Sequence, residues 1–186
     1  MINTIKPFRV FQNLAGDTHA HLVIPTVSGI ESQTIRAIET LLLIALARIV
    51  KVASILEIGT SMGYTSLHLA MNTPATISTL DNDPKPCVFE GTEWEPRIRR
   101  ISCDVAKAVA SPFDMVFCDC NYTLDLCREE NRLAFACNPA VIAWHDFGNP
   151  NCEGQTQNIL ELSETMDIYH IPETLLCFWF ADGRVL

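Results

Sequence analysis

"VASILEIGTSMGYTSLHLAMN", residues 52–72, decides how this chain folds. Residues 52–59 are an apolar run of strand length that passes through Glu57 and stops at Gly59. A helical pattern begins at Gly63 and Tyr64 and ends at Asn72 and Pro74. Between the two stand only Thr60, Ser61 and Met62, so the strand must hand over to the helix through a tight glycine turn. The turn is not the dinucleotide pattern G-x-G-x-x-G, because Gly59 and Gly63 are its only glycines. Nor is it a phosphate-cradling P-loop, since no Gly-Lys-Ser/Thr follows.

The same strand-then-helix unit recurs downstream. "ATISTLD" is a strand ending at Asp81, followed by a short, poorly helical stretch through Pro84 and Pro86. "RIRRISCD" is a strand ending at Asp104, with "VAKAVA" expected as a short helix. "FDMVFCD" ends at Asp119 and precedes a helix over roughly 123–136; "AVIAWHD" ends at His145 and Asp146 and precedes the helix "GQTQNILELSETM". "DIYHI" and "LLCFWFADG" close the chain as a hairpin, which makes one closing strand antiparallel. Upstream, Ile35, Ile38, Leu42, Ala45, Leu46 and Ile49 recur at helical steps, predicting a leading helix over 28–50 capped by Ser28 or Ser32. Residues 1–27 form an N-terminal extension, and 1–186 is expected to be a single domain.

Five such units with apolar strands specify an α/β, Rossmann-like fold: a mostly parallel sheet with helices on both faces. Each strand ends in a polar residue, namely Glu57, Asp81, Asp104, Asp119, and His145 with Asp146. Open α/β sheets bind ligands outside these strand ends, so five in register point to a site.

Composition narrows the partners. With 48% hydrophobic and 19% charged residues the chain is globular rather than disordered. A net charge of −9 argues against a broad footprint on nucleic acid or anionic membrane. Arg97, Arg99 and Arg100 are too few to reverse this and are expected as a solvated strand flank. Eight cysteines, several inside apolar runs and without CxxC or zinc spacing, fit reduced thiols in a cytoplasmic protein. The N-terminus lacks the pattern of a signal peptide, and the run "LLLIALA" at 41–47 is too short to span a membrane. His19 and His21 are expected at the surface, and Trp94 is expected to pack on the core rather than over a ligand.

The glycine turn suits a ligand that meets the backbone. Gly59 permits close approach, Gly63 lets the next helix sit tight against the sheet, and the turn's amides would face a carboxylate. Asp81 follows Gly59 by about twenty residues, the spacing at which nucleoside-binding folds place their ribose acid.

The ordered set "ILEIGTSMGYTSLHLA", "TLDNDP", "FDMVFCDCNYTLDL" and "AVIAWHDF" resembles the small O-methyltransferase-like branch of class I S-adenosylmethionine-dependent methyltransferases. The match spans roughly residues 35–150. It implies a seven-stranded sheet of order 3-2-1-4-5-7-6 and transfer of a methyl group from S-adenosylmethionine to a small molecule, at oxygen. It also implies cofactor contacts from Glu57, Gly59, Thr60, Ser61, Gly63, Tyr64, Thr65, Asp81, Asn82, Asp104 and Asp119. Asp104 is equally suited to capping the helix expected after it.

In catechol-type relatives a divalent ion sits at the fourth and fifth strand ends. By position Asp119, His145 and Asp146 would hold magnesium or manganese here, with Asp119, His145 and Tyr122 as the catalytic group. His145 and Asp146 are also suited to a capped turn into "FGNPN". The chain departs from the branch in three places. Asn121 and Tyr122 replace an acid or small residue and a histidine, "CNPA" lacks paired glycines, and Tyr122 stands where a lysine often follows the acid. The general base is therefore open. So are two other readings: a cofactor-binding regulatory protein without turnover, and another nucleoside-using α/β enzyme such as a nicotinamide-dependent reductase. A homodimer is compatible with all of them.

Overall fold

A computed structural model describes residues 2–14, 19–23, 35–119, 122–184 and 186. Its elements run β1 (Asn3–Thr4), α1 (Pro7–Gln12), α2 (Ala37–Val50), β2 (Ser54–Ile58), α3 (Tyr64–Asn72), β3 (Thr76–Asp81) and β4 (Ile98–Ser102). There follow β5 (Met115–Cys118), α4 (Leu124–Ala136), β6 (Val141–Trp144), α5 (Glu153–Leu162), β7 (Tyr169–His170) and β8 (Cys177–Phe180).

One sheet takes the order β1-β7-β8-β6-β5-β2-β3-β4. Every neighbouring pair is parallel except those of β8, which is antiparallel to β6 and β7. From β4 to β7 this is the order expected for the resembled fold. The sheet has one strand more than the seven expected. β1, from the N-terminal extension, pairs with β7 through Asn3 N–H to Ile168 O (2.9 Å) and Ile5 N–H to His170 O (3.0 Å). Two residues are too few to show an alternating pattern, so this strand left no periodic trace.

Side chains alternate across the strands. Ile55, Phe117, Ala143 and Phe178 face α2 and α3 with Leu43, Leu46 and Leu69. Leu56, Val116, Ile142 and Trp144 face α4 and α5 with Leu133 and Ile159. Burial on both faces is why the strands are continuous apolar runs rather than alternating ones.

Three expectations need correction. The leading helix does not run unbroken from residue 28: Ile35 and Arg36 precede it, and Arg36 is an extended N-cap whose N–H donates to Glu39 (3.1 Å). Ser28 and Ser32 lie outside the described residues. "VAKAVA" makes a single 3-10 turn, Val105–Lys107, because nothing among the described residues covers a further turn; Val109 is 92% exposed. Arg97 is not a solvated flank. Its guanidinium donates to the carbonyls of Ala70 (2.8 Å), Thr73 (2.6 Å) and Ala75, closing the end of α3. Arg99 and Arg100 do lie at the surface, and Arg100 pairs with Glu90 at 2.6 Å.

Other expectations hold. Trp94 packs half-buried against the core, and His19 and His21 are exposed. Cys87, Cys103, Cys118, Cys137, Cys152 and Cys177 are free thiols, with Cys120 outside the described residues. No helix among the described residues is long and apolar enough to cross a membrane.

Gly63 does its work against a different partner from the sheet. It caps α3 in the left-handed region at φ 75°. A Cβ there would lie 2.5 and 2.7 Å from ring atoms of the buried Phe89 and 3.0 Å from Cys87 Cβ. Gly63→Ala should cost about 1–3 kcal/mol through this overlap and the strained φ. Urea unfolding should show a lower midpoint at unchanged slope; an unaltered midpoint would mean that Phe89 moves aside freely.

Candidate active site

Parallel pairing carries β2, β3, β5 and β6 to one sheet edge, and backbone bonds fix how each strand leaves it. Gly59 N–H donates to Leu80 O (2.8 Å), Asp119 N–H to Ile58 O (2.8 Å) and His145 N–H to Cys118 O (3.0 Å). Gly59 then turns at φ 103° and Ser61 at φ 47°, and Gly63 N–H closes the turn on Thr60 O (2.7 Å).

Asp81 organises this turn. Its Oδ2 accepts the N–H groups of Thr60 and Ser61, both at 3.0 Å, and its Oδ1 accepts that of Asp83 at 2.8 Å. The turn's amides thus meet Asp81 rather than standing open to a ligand carboxylate. Oδ2 spends both lone pairs on the turn, while Oδ1 still has one to offer.

The turn borders a cleft of about 680 Å³, which adjoins a hollow of about 370 Å³. Gly59, Ser61, Lys85, Asp119 and Tyr122 line both lobes. The larger lobe adds Thr60, Gly63, Tyr64, Thr65, His145 and Asp146; the smaller adds Asp81, Asn82 and Asp104. Asp104 also fulfils its capping role, accepting Ala106 N–H at 3.0 Å. Every residue singled out from the sequence reaches the two lobes except one.

The exception is Glu57. It is 1% exposed and lies beneath the turn, where the side chains of Ser66 and Thr79 donate to it. It ties β2 to α3 and β3 instead of lining the cleft. Burial pushes its carboxyl up to about 8, against the pull of those two hydroxyls. The folded protein keeps this proton up to that pH, whereas the unfolded chain releases it near the usual carboxylate value. Stability should therefore decline as pH rises from about 4.5 towards 8. Glu57→Gln, which cannot ionise, should flatten that decline in thermal melts between pH 5 and 9; a slope equal to wild type would place the proton elsewhere.

At the far side of the larger lobe, donor atoms of Asp119, His145 and Asp146 lie within 4.8 Å of one another. His145 Nδ1 is 3.1 Å from Asp119 Oδ1 and 3.5 Å from Asp146 Oδ1. Asp146 sits at φ 66°, and its Oδ1 accepts from Asn149 Nδ2 at 2.7 Å, so the capped turn and the cluster coexist. A fourth charge completes the group. Glu39 of α2 is fully buried, and its Oε2 lies 3.2 Å from His145 Nε2. Burial alone would lower the His145 pKa, but Asp119, Glu39 and Asp146 outweigh it and raise the imidazole to about 10. Burial likewise opposes ionisation of Glu39, yet bonds from His145, Arg36 and the Leu175 amide bring it down to about 2. Burial raises Asp119 above the usual carboxylate range, with His145 pulling the other way.

Sequence reasoning missed Glu39, although a signal existed. It shares a helix face with Leu42, Leu43 and Leu46, and an acid on an apolar stripe asks for a buried partner. It also missed Lys85, Asn149, Asn151 and Cys152 of the larger lobe. Only the cation in "DNDPK" marked any of these.

The donor set fits a divalent ion: two carboxylates and an imidazole that can offer a lone pair at Nδ1. Because His145 holds its proton up to about pH 10, an ion must displace that proton. Affinity for Mg²⁺ or Mn²⁺ should therefore climb about tenfold per pH unit through neutrality instead of levelling off above 6.5. Calorimetry at about pH 6, 7 and 8 measures this, and a flat profile would exclude proton displacement at His145.

No protein-family profile matches the chain, and neither does any curated protein sequence. Solved structures do match. One is a Podospora anserina methyltransferase, PaMTH1, bound to S-adenosylhomocysteine: TM-score 0.65, 18% identity, 83% of each chain covered. Another is an O-methyltransferase from Bacillus cereus, also with S-adenosylhomocysteine: TM-score 0.59, 17% identity, covering 85% of this chain and 93% of that one. A third is the O-methyltransferase TomG from Streptomyces achromogenes with S-adenosylmethionine: TM-score 0.53, 19% identity, 79% and 81% covered. The chain has the class I methyltransferase fold.

Proposed function

We propose that this protein transfers a methyl group from S-adenosylmethionine to an oxygen of a small-molecule acceptor. The observation that carries the reading is the convergence of the Gly59–Gly63 turn, Asp81 and the Asp119–His145–Asp146 cluster on one two-lobed cleft. Solved structures of the same fold that hold S-adenosylhomocysteine or S-adenosylmethionine support it.

The cofactor, when bound, supplies the sulfonium methyl; the protein aligns, shields and handles a proton. The smaller lobe offers Asp81, Asn82 and Asp104 to a nucleoside. With the amides of Thr60 and Ser61 committed to Asp81, a carboxylate in the larger lobe falls to the N-terminus of α3, where Tyr64 and Thr65 line the wall. A methyl acceptor then lies towards Asp119 and His145. Asp119, with its raised pKa, takes the hydroxyl proton at its carboxylate, and cationic His145 balances the resulting charge. In place of the His145 proton, Asp119, His145 and Asp146 would hold a divalent ion, which would then supply the positive charge that stabilises the acceptor's oxyanion.

Binding tests this reading directly. S-adenosylhomocysteine should raise the melting temperature, as a native-state ligand does, and NADH should not. Gly59→Val should abolish the shift, because the residue lines both lobes at a φ of 103°. Asp81→Ala should weaken binding by about 1–3 kcal/mol, having removed a charged acceptor. No thermal shift in the wild type at millimolar ligand would end the proposal.

A further inference from the structure

Among the described residues, the cleft's one histidine is held from behind. His145 presents two nitrogens to opposite sides. Nδ1 faces Asp119 and Asp146 in the larger lobe, whereas Nε2 meets Glu39, which lines neither lobe. Glu39 is itself immobilised. Its Oε1 accepts Leu175 N–H from the β7–β8 connection at 2.7 Å and pairs with Arg36, while its Oε2 accepts Arg36 N–H at 3.1 Å. The carboxylate is 0% exposed and cannot turn away without orphaning these donors. Phe117 packs edge-on against the imidazole, with ring centroids 6.5 Å apart.

A histidine ring can present either nitrogen to a site, and the partner of the other nitrogen decides which. We propose that Glu39 is a positioning residue which holds His145 through Nε2–H, so that Nδ1 is the atom presented to the reacting cleft. The inference deepens the methyltransferase reading and rests on it only for what Nδ1 does there. Nδ1 then serves the acceptor or an ion, and Nε2–H never reaches solvent or substrate. A carboxylate that fixes the far nitrogen of a working histidine is a general device of metal and proton-transfer sites. Here it comes from α2, which carries none of the chain's strand-end motifs. The residue also joins the start of α2 to the β7–β8 connection, so the ring's orientation depends on how three separate segments pack.

Nitrogen-15 histidine labelling of the full chain tests this atom by atom at one neutral pH. In the wild type, one ring N–H of His145 should be bonded and protected from solvent exchange. Glu39→Gln keeps the side chain's shape but only one acceptor oxygen; with that oxygen on Leu175 N–H and the Arg36 guanidinium, an amide NH2 faces His145 Nε2. The substitution should shift the Nε2–H resonance towards a weaker bond and leave Nδ1 nearly unmoved. Asp119→Asn should do the reverse. Glu39→Leu should abolish protection at Nε2–H; if that variant does not fold, the Gln variant decides alone. An Nε2–H resonance that Glu39→Gln leaves in place, or that Asp119→Asn moves instead, would overturn the assignment. S-adenosylhomocysteine binding on the same samples separates the two readings. If the wild type fails to bind it, the methyltransferase reading falls while the roles of the ring nitrogens are still decided by the spectra. If it binds and the spectra do not respond to Glu39, this inference falls alone.

Discussion

Parallel pairing of β2 with β3 on one side and β5 on the other is the constraint from which the site follows. Parallel strands all end at the same edge, and strand order reverses about β2, so the chain must leave the sheet there in two directions. The crevice that opens is bordered by the residue just past each ladder: Gly59 after β2, Asp119 after β5, His145 after β6. Asp81, the last residue of β3, reaches across the crevice to fix the turn after β2. The cleft is thus built from strand ends tied to one another, which is what a site needing sub-ångström placement requires.

Two buried glutamates show how context settles the charge of the same side chain. Glu39 receives an imidazolium, a guanidinium and a backbone amide, and these overcome its desolvation. Glu57 receives two hydroxyls and faces the negative charges of Asp119 and Asp81, so desolvation prevails and it keeps its proton. The first is a charged anchor for His145. The second is a neutral strut under the glycine turn. Removing a partner from the first leaves a buried charge exposed to its full desolvation cost, whereas an amide in place of the second changes little.

Around His145 the balance is electrostatic and uneven. Three carboxylates surround one imidazole, leaving an excess of negative charge in a half-buried pocket. A proton on His145 relieves part of that excess, and a divalent cation would relieve more. The sulfonium of the proposed cofactor is also cationic. The cleft's acidity and the net charge of −9 therefore favour a positively charged ligand and disfavour a polyanion.

The sequence by itself determined a mostly parallel sheet covered by helices on both faces, since apolar strands alternating with helical patterns pair that way, whereas the strand order was implied by the family resemblance. It also placed Gly59, Asp81, Asp104, Asp119, His145 and Asp146 at one edge, because a strand's last residue is legible from where its apolar run stops. Chemistry decided by contact was not legible. Whether Glu57 faces ligand or core depends on Ser66 and Thr79, and whether Gly63 meets sheet or loop depends on Phe89. That Arg97 closes α3 depends on three carbonyls more than twenty residues away. Glu39 is the extreme case, 106 residues from the histidine it holds. Periodicity reports which face of an element is apolar; the partner that a buried charge finds is fixed only when distant elements close over it, where desolvation makes an unpaired charge too costly to keep.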